Sequence, residues 1–337
     1  MLDIIQKFKK NSQILVKLSP VFSFIVPFLI LYFLYPNTFK ATWTGTWENR
    51  IPYIFFLWLF SLETILNWEE IRTRICEIKS IKTIAFIMAL LLPTIYVVIA
   101  NYFGLNASIT IFARHYGIKP AWAELMPLST EYLVFAVFFA LIIFLEQGSS
   151  GVKDYSISTF FLVLIGGIYT INNVYPMGQF TPFQILVPTT AMFAANVLNL
   201  MGYQTSLNTR SAMPVLYASN SQSSFGAAID WPCSGVESLL IYTVTILLFL
   251  KKSNMPLKHK TAYFVIGAVV TYVINILRIV TIFVIAINKG DWGIFHDYYA
   301  QLYSITWIIS YPLIIIGSRA LWRKIRHKKI DARNVSV

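Results

Sequence analysis

The feature that most constrains this chain is a succession of long apolar segments. Nine stand out, near residues 18–35, 51–66, 81–101, 129–146, 157–174, 182–200, 234–250, 261–287 and 300–319. Most are close to the roughly 17 to 25 residues that a helix needs to cross a hydrocarbon core about 30 Å thick. In that solvent every backbone polar group has to be satisfied within the protein, so spanning segments of this kind read as helices. With only 12% of its residues charged, the chain has little polar surface to offer water. The expectation is an all-α, polytopic transmembrane helical bundle in which length counts spans and not soluble domains.

Charge then orients the bundle. The net charge of +12 would suit a nucleic-acid partner if it covered a soluble domain, but the basic residues fall in short clusters between apolar segments. No nucleic acid is expected. Four clusters hold most of the lysine and arginine: Lys7 to Lys17; Arg72, Arg74, Lys79 and Lys82; Lys251, Lys252, Lys258 and Lys260; and Arg319 to Arg333. Basic loops stay on the cytoplasmic side, so all four belong there and an even number of crossings separates first from last. One of the nine candidates therefore does not cross. The weakest is 182–200, flanked or interrupted by Pro176, Pro182 and Pro188 and carrying Gln184, Asn196 and Asn199. It is expected as an outer interfacial or re-entrant helix, which leaves about eight spans and both termini cytoplasmic. Pro36-Asn37-Thr38-Phe39 is a poor cleavage site, so the first apolar stretch reads as a retained anchor. The Ser/Asn/Gly-rich segment 201–232 then lies outside as a small ordered loop or strand pair.

Three residues carry a recognisable chemistry: Cys233 in Trp231-Pro232-Cys233-Ser234-Gly235, Arg278 in Asn275-Ile276-Leu277-Arg278, and His296 in Phe295-His296-Asp297. Eighteen residues separate Cys233 from Lys251, and eighteen separate Lys260 from Arg278. At 1.5 Å per residue both side chains stand roughly 27 Å above the cytoplasmic lysines, near the outer boundary. A thiolate is a strong nucleophile whose pKa falls beside a guanidinium and at a helix N-terminus. The start of the span behind Cys233 offers backbone N–H groups to an oxyanion, and Gly235 admits a substrate backbone. His296 has the unperturbed pKa suited to moving a proton. Arg278 is placed to stabilise developing negative charge.

Other residues are weaker candidates. Cys76 reads as a small apolar filler, and the two cysteines imply neither a disulfide framework nor a metal pattern. No cofactor motif is found. Glu63, inside a span, is expected to pair with a neighbouring helix. His115 lacks a partner motif, and His259 sits in a lysine cluster. Trp43, Trp47, Trp58 and Trp68 read as interface-belt and packing aromatics. His296 beside Asp297 would, taken alone, be as much a surface residue as a catalyst. Asn275, one turn before Arg278, is placed to orient the guanidinium.

The order Pro232-Cys233-Ser234-Gly235-Val236-Glu237-Ser238-Leu239-Leu240, Asn275-Ile276-Leu277-Arg278-Ile279, then Phe295-His296-Asp297 resembles the exosortase/archaeosortase family over about 175 to 320. The Lys-, Asn- and Ile-rich character fits an archaeal, archaeosortase-like member. The resemblance implies a cysteine transpeptidase or protease, with Cys233, Arg278 and His296 catalytic and Ser234, Gly235, Asn275 and Asp297 supporting. Its expected partners are proteins with a C-terminal recognition motif, a transmembrane helix and a basic tail, with a membrane lipid as a possible acceptor of the cleaved chain. The expected location is the cell (plasma) membrane, multi-pass, with the catalytic face extracellular. Within this scheme 1–130 supplies extra spans that form a groove for the substrate helix, 131–320 is the catalytic core, and 321–337 is a basic cytoplasmic tail. Two other classes stay open on the residues alone: a transporter using Arg278 and Glu63, and a membrane acyl- or glycosyltransferase using His296-Asp297. The repeats common in transporters are not seen.

Overall fold

The computed structural model describes residues 2–40, 46–68, 81–176, 179–209 and 213–334. Cys76, Arg72, Arg74, Lys79 and Trp43 lie outside the described residues. The chain divides into two compact units, Met1–Phe180 and Thr181–Val337.

The first unit is helical: α1 (Leu2–Leu34), α2 (Ile51–Leu66), α3 (Ile81–Tyr102), α4 (Leu105–His115), α5 (Pro120–Ala123), α6 (Met126–Gln147), α7 (Ser149–Asp154) and α8 (Ser156–Val174). Prolines open α2, α5 and α6, where the missing N–H has no intrahelical acceptor to lose. The core is aromatic. Phe28 stacks on Tyr53 at 4.5 Å, Tyr53 on Tyr132 at 4.1 Å, and Phe60 meets Phe139 edge-on at 4.7 Å. Beside it lies a buried polar layer, in which Arg50 grips Glu131 through two bonds of 2.9 and 3.1 Å. Glu48 accepts from the amides of Asn172 and Asn173 at 3.1 and 3.2 Å. Burial pushes its carboxyl up to about 8 against those two bonds. Glu63 accepts from Ile157 N, Ser158 N and Ser158 Oγ at 3.3, 3.0 and 2.6 Å, so its carboxylate caps the start of α8.

The second unit begins with a 3-10 stretch (Thr181–Leu186) and α9 (Val187–Leu200). Strands β1 (Gln204–Asn208), β2 (Val215–Ser219) and β3 (Ser224–Ala228) form an antiparallel sheet in the order β1-β2-β3. A 3-10 turn (Trp231–Ser234) leads into α10 (Val236–Lys252), followed by α11 (Leu257–Ile287), a short α12 (Trp292–Ile294), a π-helical turn (Phe295–Tyr299) and α13 (Ala300–Asn334). The hydroxyls of Tyr242 on α10 and Tyr311 on α13 both donate to backbone carbonyls of α11. Tyr242 reaches Phe264 O at 2.8 Å, and Tyr311 reaches Tyr263 O at 2.8 Å. Gly267 makes room for this, since a Cβ there would fall 2.1 Å from the Tyr242 hydroxyl. Ile246, Leu250, Ile308 and Ile315 pack around the pair.

Among the described residues four helical stretches are long and apolar enough to cross a membrane: Lys82–Tyr102, Pro120–Gln147, Ser156–Val174 and Leu257–Ile287. Leu18–Leu34, Ile51–Leu66 and Gln184–Leu200 are shorter apolar helices. The protein is a multi-pass membrane protein, and this count is lower than the expected eight. α10 falls just below that length: its 17 residues span about 25 Å in all and end in Lys251 and Lys252. The fold is not purely α either. The outer segment expected as a loop or strand pair holds three strands, because Leu216 and Ala218 alternate with exposed or half-exposed neighbours and bury one face.

Candidate functional site

Cys233 is held by backbone contacts on all sides. The side chain of Asp230 accepts from Trp231 N at 2.8 Å and starts the 3-10 turn, and Cys233 N donates to Asp230 O at 3.0 Å. Gln184 Nε2 donates to Asp230 Oδ1 at 3.0 Å, tying the turn to the chain before α9. At the far end Asn275 Nδ2 donates to the carbonyl of Cys233 at 2.9 Å, and Thr190 Oγ1 donates to that of Ser234 at 3.0 Å. Gly235 leaves the turn at φ +96, a conformation L side chains rarely take, and heads α10. The half-buried thiol thus sits at the entrance of a helix on a turn with both ends fixed.

Arg278 lies on α11 one turn after Asn275 and is only 9% exposed. Among the described residues its guanidinium makes no hydrogen bond and no ion pair, yet its charge acts on both Cys233 and Glu237. Burial pushes the Cys233 thiol up, Arg278 is the largest influence drawing it back, and Asp230 and Glu237 push it further up. The net direction is upward, so the resting sulfur is a thiol that needs a base to become a nucleophile.

His296 stands in the π turn between α12 and α13. Its Nδ1 lies 2.8 Å from Asp297 Oδ1. The Trp292 ring packs 6.5 Å from the imidazole, Phe225 of β3 is 5.3 Å from Trp292, and Phe283 of α11 is 5.1 Å from Phe225. This aromatic row links the His296 turn to the sheet and to α11.

The expected site residues are therefore brought together unevenly. Cys233, Ser234, Gly235, Asn275 and Arg278 form one cluster, whereas His296 and Asp297 form a pair that makes no hydrogen bond to Cys233 or Arg278 among the described residues. Asn275 bonds the cysteine turn and not the guanidinium it was expected to orient, and its buried Oδ1 has no hydrogen-bond partner. Thr190, Gln184 and Asp230 were not anticipated. Asp before Trp-Pro is a helix-start signal that points to Asp230, while a hydroxyl or amide reaching across the fold leaves no sequence pattern. Glu63 is occupied as a cap, which removes the carboxylate on which a transport reading leaned. Among the described residues no three His, Cys, Asp or Glu side chains gather as a metal site. A cavity of about 570 Å³ opens at the π turn, lined by Tyr299 of that turn and by Tyr303, Thr306, Trp307 and Ser310 of α13.

Fold and site define a multi-pass membrane protein that holds a thiol at a helix entrance, on a turn clamped by Asn275 one helical turn before a buried arginine. A family model described as transmembrane exosortase matches residues 20–310, and the chain belongs to that family. Searches of curated proteins and of solved structures find no match.

Proposed function

We propose that this protein is a cysteine transpeptidase or protease that cleaves C-terminal sorting signals at the outer face of the cell membrane. Cys233 sulfur attacks the scissile carbonyl, the C–N bond breaks, and the acyl part stays on sulfur as a thioester. With Nδ1 of His296 engaged by Asp297, Nε2 is left to take the thiol proton and to pass it to the departing amine. Arg278 faces the thiolate and the oxyanion of the tetrahedral intermediate, and the N–H groups at the start of α10 add to it. Water, or an amine on a membrane lipid, then attacks the thioester, releases the acyl chain and regenerates the thiol. Asn275 and Ser234 hold the turn, and Gly235 keeps a side chain out of the substrate's way.

One observation carries this reading: a buried guanidinium that makes no hydrogen bond or ion pair among the described residues stands one helical turn from Asn275, the residue that clamps the turn of the half-buried thiol. An unpaired charge at such depth costs several kcal/mol and is characteristic of working sites. The family match supports a sorting-related membrane enzyme. The test co-expresses the protein with a reporter carrying an outer recognition segment, a transmembrane helix of about 20 residues and a Lys/Arg tail. Cys233→Ala should accumulate normally and leave the reporter unprocessed; processing at the native rate by that variant sinks the proposal.

A further inference from the structure

The strand that leads to Cys233 has an unused edge. β3 is the last strand of the sheet, paired on one side with β2 in the register Ser219↔Ser224 through Val215↔Ala228. Two bonds fix which backbone groups face which way: Asn220 N donates to Ser223 O at 3.0 Å, and Ile229 N donates to Pro214 O at 2.8 Å. In an antiparallel ladder bonded and non-bonded pairs alternate, so Ser223, Phe225, Ala227 and Ile229 turn their N–H and C=O groups toward β2. Ser224, Gly226 and Ala228 must turn theirs away, and these are the three exposed residues of the strand. No hydrogen bond reaches their backbone from any other segment among the described residues.

Free edges usually carry a lysine, a proline or a bulge that discourages pairing. Ser224-Phe225-Gly226-Ala227-Ala228 has neither charge nor proline, and its register with β2 is unbroken. The opposite edge, β1, is tied to α9 by Thr205 Oγ1 on Asn199 Oδ1 at 2.9 Å. Position gives the edge of β3 its meaning. The strand ends five residues before Cys233, and its Phe225 touches Trp292, which touches His296. A backbone laid along β3 therefore lies five residues from the thiol at one end and beside the aromatic contact to the His296 turn at the other.

We propose that the free edge of β3 binds the recognition segment of the substrate as a fourth, extended strand, delivering the scissile bond to Cys233. Main-chain bonds to Ser224, Gly226 and Ala228 supply the hold. The proposal rests on the transpeptidase reading. The Tyr217 ring fills the space over Gly226 on the sheet face, while Ser224 and Ala228 are small, so the strand's own side chains do not crowd the edge where that backbone would lie.

The test uses the full chain in membranes with the same co-expressed reporter. A benzophenone amino acid replaces Ser224 in a Cys233→Ala background, and the control carries it at Ser206 on β1, which is equally exposed. Cross-linking to the reporter is expected from position 224 and not from 206. In the otherwise native chain Ala228→Pro removes one outward N–H and should slow processing about five- to tenfold, the loss of roughly one hydrogen bond. Leu207→Pro, a similar lesion on the other edge that spares the Thr205 hydroxyl bond, should stay within about twofold of the native rate, since its N–H also points away from β2. Cross-links that join only two copies of the chain, or arise equally from both strands, overturn the proposal, as does native-rate processing by Ala228→Pro. Should that variant fail to accumulate, the cross-link decides. Loss of processing in Cys233→Ala alongside a negative edge result removes the edge proposal alone; persistence of processing there removes the transpeptidase reading.

Discussion

Arg278 illustrates how a single side chain can act through both charge and shape. It draws the Cys233 thiol down against the larger upward push of burial, so removing it leaves only the smaller pull of the Asp230 backbone bond against that push. Arg278→Gln should therefore raise the thiol pKa, and alkylation of Cys233 by iodoacetamide, followed across a pH series in detergent, should move its midpoint to higher pH. An unmoved midpoint would show that the guanidinium does not govern the sulfur. Arg278→Lys keeps the charge and loses the planar fork, and reporter turnover should still fall severely. At this scale Cys233, Arg278 and His296 stand out in the sequence because thiol, guanidinium and imidazole are rare among apolar residues and costly to bury. Counting residues from Lys251 and Lys260 set Cys233 and Arg278 at one depth, and the structure has the charge of one acting on the other. The partners of Asn275 and Thr190 were not legible, since a hydrogen bond to a distant carbonyl depends on how two helices meet and not on residue spacing.

At the scale of elements, the turn into α10 depends on Gly235. Any other residue pays for φ +96, and a Cβ would sit 3.0 Å from Asn275 Nδ2, the atom that holds the Cys233 carbonyl. Gly235→Ala should therefore cost about 1–2 kcal/mol of stability and displace the turn, with reporter processing falling more than the melting temperature alone would explain. Equal turnover in the variant would mean that the clamp is dispensable. The three strands were only half legible. Apolar Val215 and Tyr217 masked the alternation of Leu216 and Ala218, and the pairing of β1 with β2 spans a segment where no short turn motif marks a hairpin. The β2–β3 turn carries a readable signal, with Asn220 Oδ1 accepting from Gln222 N and Ser223 N at 2.9 and 2.8 Å.

For the whole molecule, the membrane class followed from segment length and composition, and the family match agrees with it. Four described helices are long and apolar enough to cross, α10 at 17 residues falls just short of that length, and the expected eight rests on the lysine clusters. Orientation rests on the lysine clusters and is open to direct measurement. A cysteine introduced in place of exposed Ser221, in a chain otherwise free of cysteine, should react with an impermeant maleimide on intact cells. Labelling that requires permeabilised cells would turn the molecule over.

The shared carbonyl acceptors of Tyr242 and Tyr311 have a mechanical consequence. α10 and α13 are both pinned to α11 well below the cysteine turn, where little competing water is available to replace those bonds. Nearer the thiol the same three rods are joined again, by Ser238 Oγ on Ser304 Oγ at 3.3 Å, Trp307 Nε1 on Thr271 Oγ1 at 3.1 Å and Asn275 Nδ2 on the Cys233 carbonyl at 2.9 Å, so they should tilt as one braced tripod that carries the sulfur with it.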